Sequence, residues 1–202
     1  MKPTSTHKAF TLPEVLISAC LLGLLTAAIF AIYRLGSNAL MRTNAATDLV
    51  RANQAVLSRF SRDAEQTVYD SVTIGPNNGS VAFLSAVYDT DFQVDAAGQP
   101  LWQKYVVLYH DPATRQVLRR EVPLASPTTT AAPISSTGTN ITGYLTAGRR
   151  LASDIYDCSF FLDSQPPTNE PLLRVTLDAR KQRYGRSDEE RVRLEGVVRM
   201  RN

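Results

Sequence analysis

Histidine and cysteine, the side chains most used for acid–base and nucleophilic chemistry at neutral pH, are scarce in this 202-residue chain. The two histidines are His7 and His110, and the two cysteines are Cys20 and Cys158. No serine or cysteine stands at a motif spacing from His110, which is therefore predicted to be a turn residue. Both cysteines are interpreted as small buried apolar side chains without a disulfide. The sequence thus predicts a protein that is not an enzyme.

Carboxylates form two groups that might suggest a cation site. Asp89, Asp91 and Asp95 precede Gly98, a spacing that only loosely resembles a calcium loop and misses its specific pattern. Asp188-Glu189-Glu190 is a charge run of the kind that solvated loops carry. Neither group predicts a metal site, and no cofactor is expected.

Basic side chains allow two interpretations. The formal net charge of +3 is mild, and it does not indicate a dedicated nucleic-acid binder. A strip of arginine and lysine in the second half of the chain could nevertheless contact the phosphates of DNA, or could simply be the solvent-facing side of the last strands. The residues of this strip are Arg149, Arg150, Arg180, Lys181, Arg183 and Arg186.

A single carboxylate, Glu14, lies at the start of a long apolar run. The following residues, 15–33, carry no charge, and their number is close to the about 20 needed to cross a bilayer as a helix. Lys2 and Lys8 precede the run and favour a cytoplasmic start. Three interpretations are open: a secretory signal cleaved after Ser37-Asn38-Ala39, an ordinary membrane anchor, and a processed filament subunit. The run exceeds the usual length of a signal sequence, and an ordinary anchor leaves Glu14 unexplained.

The segment Lys8-Ala9-Phe10-Thr11-Leu12-Pro13-Glu14-Val15-Leu16-Ile17 closely resembles the prepilin processing motif of type IV pilins and type II secretion pseudopilins. The resemblance implies cleavage between Ala9 and Phe10 and N-methylation of Phe10. Ala9 departs from the usual glycine at the cleavage site. Glu14 then becomes the fifth residue of the mature chain, where the family's acid is thought to pair with the N-terminal amine of a neighbouring subunit during assembly.

Weaker similarities suggest the kind of pilin. Residues 57–64, 118–120 and 197–202 resemble the J-type minor pseudopilins and the PilW-like minor pilins. The implied role is a subunit that starts filament assembly or lies at the filament tip, in a pilus or a secretion pseudopilus. The alternative is a binding module at the tip that contacts DNA or a surface, through the basic strip or the 125–143 segment.

The resemblance also implies partners and a location. Expected partners are prepilin peptidase, an N-methyltransferase, other major and minor pilins or pseudopilins, the inner-membrane assembly platform, and lipid around residues 10–34. The expected location is the bacterial inner membrane, with a cytoplasmic N-terminus and an extracytoplasmic head, and then the filament.

The elements that must position these residues follow from periodicity. The resemblance implies a leader at 1–9, so that the mature chain begins at residue 10. The apolar run and the periodicity predict a transmembrane segment at 10–34 and a head at 35–202, with one helix over about 10–69. Leu35, Leu49, Val56, Phe60, Ala64 and Val68 form its apolar stripe. The predicted fold is α+β: a long N-terminal helix packed on an antiparallel β-sheet.

Alternating and β-branched segments predict the strands of the head. Residues 125–143 are rich in Ser, Thr, Ala, Pro and Gly, and are expected to form a long exposed loop, as is the charged segment 180–190. A short helical turn is expected near residue 151. The expected strands are 72–74, 80–88, the hairpin 105–109 with 116–122 around a turn at 111–114, 158–162, 172–179 and 191–200.

Overall fold

The computed structural model describes residues 11–89, 91–165, 170–182 and 188–200. It begins with one helix, α1 (Leu12–Ala64), and continues with antiparallel strands. The predicted α+β class, a long N-terminal apolar helix followed by an antiparallel sheet region, is confirmed. The chain divides into two compact units at Asn44–Ala45.

In the described part of the chain, ten strands follow α1, and all of their pairings are antiparallel. They form a five-stranded sheet in the order β1-β2-β5-β6-β7, a three-stranded sheet in the order β10-β9-β8, and the ribbon β3-β4. Their bounds are β1 Thr73–Ile74, β2 Ser80–Ser85, β3 Val87–Tyr88, β4 Asp91–Phe92, β5 Trp102–Asp111, β6 Gln116–Thr128, β7 Arg149–Ala152, β8 Ile155–Gln165, β9 Glu170–Gln182 and β10 Glu189–Arg199.

The main core lies between residues 45–64 of α1 and the two larger sheets. Leu49, Val56, Phe60 and Ala64 are buried there, as the apolar periodicity predicts. The ring of Phe60 lies 5.9 Å from that of Phe160, centroid to centroid. A Cβ at position 196 would come within 2.6 Å of the Leu57 side chain, so glycine there permits β10 to approach the helix closely.

A second core covers the other face of the five-stranded sheet. Strand β2 is buried on both faces, since Val81 and Phe83 enter the first core while Ala82 and Leu84 enter the second. Two 3₁₀ turns, Ile134–Thr137 and Ile141–Tyr144, supply the buried isoleucines that cover this face. Most residues of 125–143 are exposed, as predicted, but the segment is not a simple loop: β6 extends to Thr128, and Ile134 and Ile141 are buried against the sheet.

The 3₁₀ turns are also held by a buried hydroxyl. Oη of Tyr105 in β5 lies 2.9 Å from the Ala132 carbonyl oxygen and 3.1 Å from that of Pro133. It is also 3.2 Å from the Ser136 hydroxyl. The segment after β6 is thus fixed to the sheet through one side chain that the sequence analysis did not identify.

The helix ends earlier than predicted, at Ala64 rather than residue 69. Thr67 and Ser71 are buried with their hydroxyls 2.9 Å apart, and Ser71 Oγ accepts a hydrogen bond from Leu84 N–H. These contacts replace another helical turn, because short hydroxyl side chains compete with the helix for backbone partners. Val68, assigned to the stripe, is extended and partly buried.

Three further predictions need correction. Leu35 and Cys20 are exposed, since residues 12–44 contain no buried side chain. The expected helical turn near residue 151 is β7, which turns into β8 at Asp154 with a φ of 63°. The expected strand 80–88 is divided at Ala86 into β2 and β3.

The remaining strand predictions are confirmed, most with longer strands than expected. The hairpin of β5 and β6 turns where Asp111 accepts hydrogen bonds from Ala113 N–H and Thr114 Oγ1. Strand β9 extends through Gln182 and β10 begins at Glu189, so Arg180 and Lys181 lie in a strand rather than in the predicted loop.

Candidate functional site

At the N-terminus of α1, the Glu14 side chain reaches back to Thr11 and forms one half of a capping box. The Glu14 carboxylate accepts hydrogen bonds from the backbone N–H and the hydroxyl of Thr11, each at 2.9 Å. Pro13 lies in the first turn, where its missing N–H costs nothing. Glu14 therefore has a local hydrogen-bond partner in the first turn of α1. Ala9 and Phe10, the predicted cleavage site, lie outside the described residues.

Beyond this cap, α1 presents apolar side chains that its own chain leaves exposed. The helix is long and apolar enough to cross a membrane, and its apolar 18-residue stretch has no buried part. Leucine, isoleucine and phenylalanine side chains point outward all around this segment, among them Leu16, Leu25, Ile29 and Phe30. A helix that is apolar all round requires lipid or other helices to cover it.

The predicted basic strip is divided by the tertiary structure. Arg180 pairs with Asp178 at 2.9 Å, and its guanidinium lies 3.7 Å from the centroid of the Tyr156 ring. Lys181 pairs with Asp48 of α1 at 2.8 Å. Both charges thus already face carboxylates. Arg183 and Arg186 lie outside the described residues.

Arg149 and Arg150 remain unpaired among the described residues. They are the first two residues of β7, an edge strand of the five-stranded sheet. Successive side chains of a strand point to opposite faces, so the two arginines serve different surfaces. Gly148 admits this strand close to β6: a Cβ there would lie 2.9 Å from Leu118 Cβ.

A network of charges joins the last turn of α1 to the five-stranded sheet. At its centre, the Asp63 side chain is only 8% exposed. Arg119 Nε donates to Asp63 Oδ2 at 2.7 Å, and Arg59 Nε donates to the same oxygen at 3.2 Å. Arg119 also pairs with Glu121, which accepts a 2.7 Å hydrogen bond from Lys104. Five charges from α1, β5 and β6 are therefore connected.

The neighbouring charges of this network favour the charged forms of Arg119 and Glu121. Burial alone would lower the pKa of Arg119, but the hydrogen bonds and charges of Asp63 and Glu121 raise it above its usual value. Burial would likewise raise the pKa of Glu121, but Lys104 and Arg119 hold it below the ordinary value. Arg119 and Glu121 are therefore both charged at neutral pH.

An arginine-rich cleft of about 370 Å³ opens beside this network. One wall is α1 and the other is the β6–β7 edge of the sheet. We call it the arginine cleft, and its lining residues are Ala55, Ser58, Arg59, Arg62, Arg119, Glu121, Arg149 and Leu151. Of the four strip residues that the structure describes, Arg149 alone lines it.

Two arginines of the cleft carry uncompensated charge. Arg62 and Arg149 are exposed, and neither forms an ion pair or a side-chain hydrogen bond among the described residues. Arg149 is also the register partner of Arg119 across the β6–β7 pair, and like charges in this position repel. The site went unrecognised in the sequence because Arg62 and Arg149 are far apart along the chain.

Other side chains of a type that can take part in catalysis or metal binding have structural roles instead. His110 Nε2 lies 3.0 Å from the Ile155 carbonyl oxygen and ties β5 to the start of β8, so it is a strand residue rather than the predicted turn residue. Burial, aided by the Asp157 charge, raises the pKa of the Cys158 thiol, which disfavours the reactive thiolate. Asp95 Oδ1 accepts hydrogen bonds from the backbone N–H groups of Ala97 and Gln99 within its own turn.

Comparison of the chain with models of protein families, with curated proteins and with solved structures finds no match. The features of the chain that bear on its function are the N-terminal motif, the exposed apolar helix and the charges of the head.

Proposed function

We propose that this protein is a membrane-anchored, pilin-like structural subunit of a type IV filament system, a minor pilin or pseudopilin that starts assembly or lies at the filament tip. The observation that carries the proposal is the helix α1. Its first part is exposed and apolar behind one acidic residue, and its last part is built into an antiparallel head. The resemblance of residues 8–17 to the prepilin processing motif adds the expected maturation.

The exposed apolar surface of this helix would have to be covered both before assembly and in the filament. Each Å² of apolar surface withdrawn from water contributes about 25 cal/mol, so residues 12–44 would be strongly unfavourable in water. A bilayer would cover them before assembly, and sister helices would cover them in a filament. The same side chains would thus serve as anchor and as assembly surface.

Glu14 would have two partners in succession under this proposal. In the single chain its carboxylate caps the helix through Thr11. In a filament the carboxylate would accept the N-terminal amine of a neighbour, and a charge pair in a low-dielectric environment would fix the axial register. Charge and capping can be separated, because glutamine at this position also completes a capping box.

The first test is the Glu14→Gln variant, with Thr11→Ala as the matched control. Glu14→Gln removes the charge and keeps the cap, whereas Thr11→Ala removes the hydroxyl and keeps the charge. We expect both variants to enter the membrane fraction. Cross-linking mass spectrometry on native membranes should show pilin-like neighbours of residues 10–69 for wild type and Thr11→Ala, and should show them reduced at least tenfold for Glu14→Gln.

Two results would contradict this account. Equal cross-linking of both variants would reduce Glu14 to a helix cap, and the absence of pilin-like neighbours in wild type would remove the filament function. Mass spectrometry of the mature N-terminus tests maturation separately: methylated Phe10 is expected. A chain beginning after Ala39 would indicate a signal peptide, and an uncut chain would indicate an ordinary anchor.

A further inference from the structure

We propose that the arginine cleft binds an acidic segment of another protein chain, whose carboxylate is held between Arg62 and Arg149. This inference goes beyond the filament function and does not depend on it. The starting point is the distribution of charge: among the residues that the structure describes, four arginines but only one carboxylate, that of Glu121, line the cleft.

The four arginines of the cleft fall into two pairs, one with carboxylate partners and one without. Arg59 and Arg119 donate to Asp63, and Arg119 also pairs with Glu121. Arg62 and Arg149 are exposed and have no such partner among the described residues. An incoming carboxylate would therefore meet two available guanidinium groups.

The pairing register of β6 and β7 places the charge of Arg149 next to another positive charge, which is unfavourable without a counter-charge. Arg149 lies directly opposite Arg119 across β6 and β7, and both line the cleft. Like charges at this spacing destabilise an antiparallel pair. Asp63 and Glu121 neutralise Arg119, but Arg149 retains an uncompensated charge that a bound carboxylate would neutralise.

The charge network beside the cleft contains an arrangement like the one that we propose for the ligand. Asp63 accepts Nε of Arg119 at 2.7 Å and Nε of Arg59 at 3.2 Å, an arrangement of two guanidinium groups on one carboxylate. Arginine presents its donors as a planar fork that matches a carboxylate. Arg62 and Arg149 offer the same donors in the cleft.

Size and charge favour an acidic protein segment over nucleic acid. A cleft of about 370 Å³ accommodates one or two acidic side chains and is too small for a duplex backbone. Nucleic-acid affinity comes from neutralising several phosphates, whereas the cleft offers two unpaired cations and a fixed Glu121 carboxylate in its wall. Oligonucleotide binding is therefore the competing outcome.

The test uses the full chain in non-ionic detergent and a fluorescein-labelled hexaglutamate peptide, followed by fluorescence anisotropy. We expect saturable binding at low ionic strength that weakens as salt increases. Arg62→Gln and Arg149→Gln should each weaken binding about tenfold, the effect of losing one charge-assisted hydrogen bond. Arg149→Lys should recover only part of the loss, because lysine lacks the planar fork.

Arg150→Gln is the matched control, because it removes the same charge from the adjacent residue on the opposite face of β7. It should leave peptide binding unchanged. Arg62 and Arg150 are exposed, so their variants should unfold at the wild-type urea midpoint. Arg149→Gln should unfold at or slightly above that midpoint, because it removes the like charge opposite Arg119.

Each remaining outcome would overturn the proposal. Undetectable peptide binding at low salt would remove the site, and equal weakening by Arg149→Gln and Arg150→Gln would show only diffuse surface charge. Inorganic phosphate that competes as well as the peptide would indicate a general oxyanion site. A single-stranded oligonucleotide of equal charge that binds more tightly and is lost in the same variants would assign the cleft to nucleic acid.

Discussion

Replacement of Asp63 by alanine is expected to destabilise the head more than any exposed substitution of the same type. The change leaves Arg119 and Arg59 without their shared carboxylate, and the Arg119 side chain is only 11% exposed. Removing one partner of a buried ion pair typically costs about 3–5 kcal/mol. Glu121 still neutralises Arg119, and Arg59 can turn towards water, so we expect a loss at the lower end, about 3 kcal/mol.

Trp102 provides the assay, since it is the single tryptophan of the chain and is 2% exposed in the head. Its fluorescence can follow urea unfolding of the full chain in non-ionic detergent. With a urea dependence of about 2 kcal/mol/M, a loss of 3 kcal/mol lowers the midpoint by about 1.5 M. Glu65→Ala is the control, because this nearby acid is exposed and lies outside the network.

A second variant separates the buried charge from the packing. The double replacement Asp63→Leu with Arg119→Met removes both charges and keeps the apolar volume, so it should unfold within about 1 kcal/mol of wild type. Our reasoning is refuted if Asp63→Ala is no more destabilising than Glu65→Ala. It also fails if the double variant is as unstable as Asp63→Ala, because the loss would then come from shape rather than charge.

Two further predictions concern the cover of the outer sheet face and the response to acid. Tyr105→Phe should lower the free energy of unfolding by about 1 kcal/mol and accelerate proteolysis within residues 129–145, because the hydroxyl that holds this segment is lost; unchanged proteolysis would show that apolar contacts alone hold it. For Asp178, burial alone would raise the pKa of the carboxyl, but Arg191 and Arg180 hold it below the ordinary value. The folded state then binds fewer protons than the unfolded state, so this stabilisation is present above the unfolded pKa of about 4 and is lost as pH falls through the folded pKa. The urea midpoint should therefore decrease from about pH 5 downward, and an equally steep decrease in Asp178→Asn would contradict this assignment.

The sequence alone determined the features that depend on neighbours along the chain. An apolar run behind Glu14 identified the helix, and a 3.6-residue periodicity placed Leu49, Val56 and Phe60 on its buried face. Turn-forming residues after Asp111 located the β5–β6 hairpin. These signals are readable because local hydrogen bonding and side-chain alternation repeat at fixed short spacings.

Predictions from short-range sequence patterns failed where the structure of a segment depends on contacts with residues that are distant in the sequence. Composition favoured an exposed loop over residues 125–143, yet Ile134 and Ile141 cover a sheet face that exists only after β2, β5 and β6 have paired. The helix was expected to continue to residue 69, but buried hydroxyl contacts of Thr67 and Ser71 end it at Ala64.

Only the tertiary structure decided what each charge does. Arg180, Lys181 and Arg149 look alike in the sequence, but they have different surroundings in the structure. Arg180 pairs with Asp178 two residues away on β9, Lys181 pairs with Asp48 of α1, and pairing of β7 with β6 places Arg149 in the arginine cleft. Asp63 and Arg119 are 56 residues apart and meet only because α1 packs on the five-stranded sheet. The physical reason is that Coulomb and hydrogen-bond energies depend on distance in space and on burial, and both are set by the packing of elements that are remote in sequence.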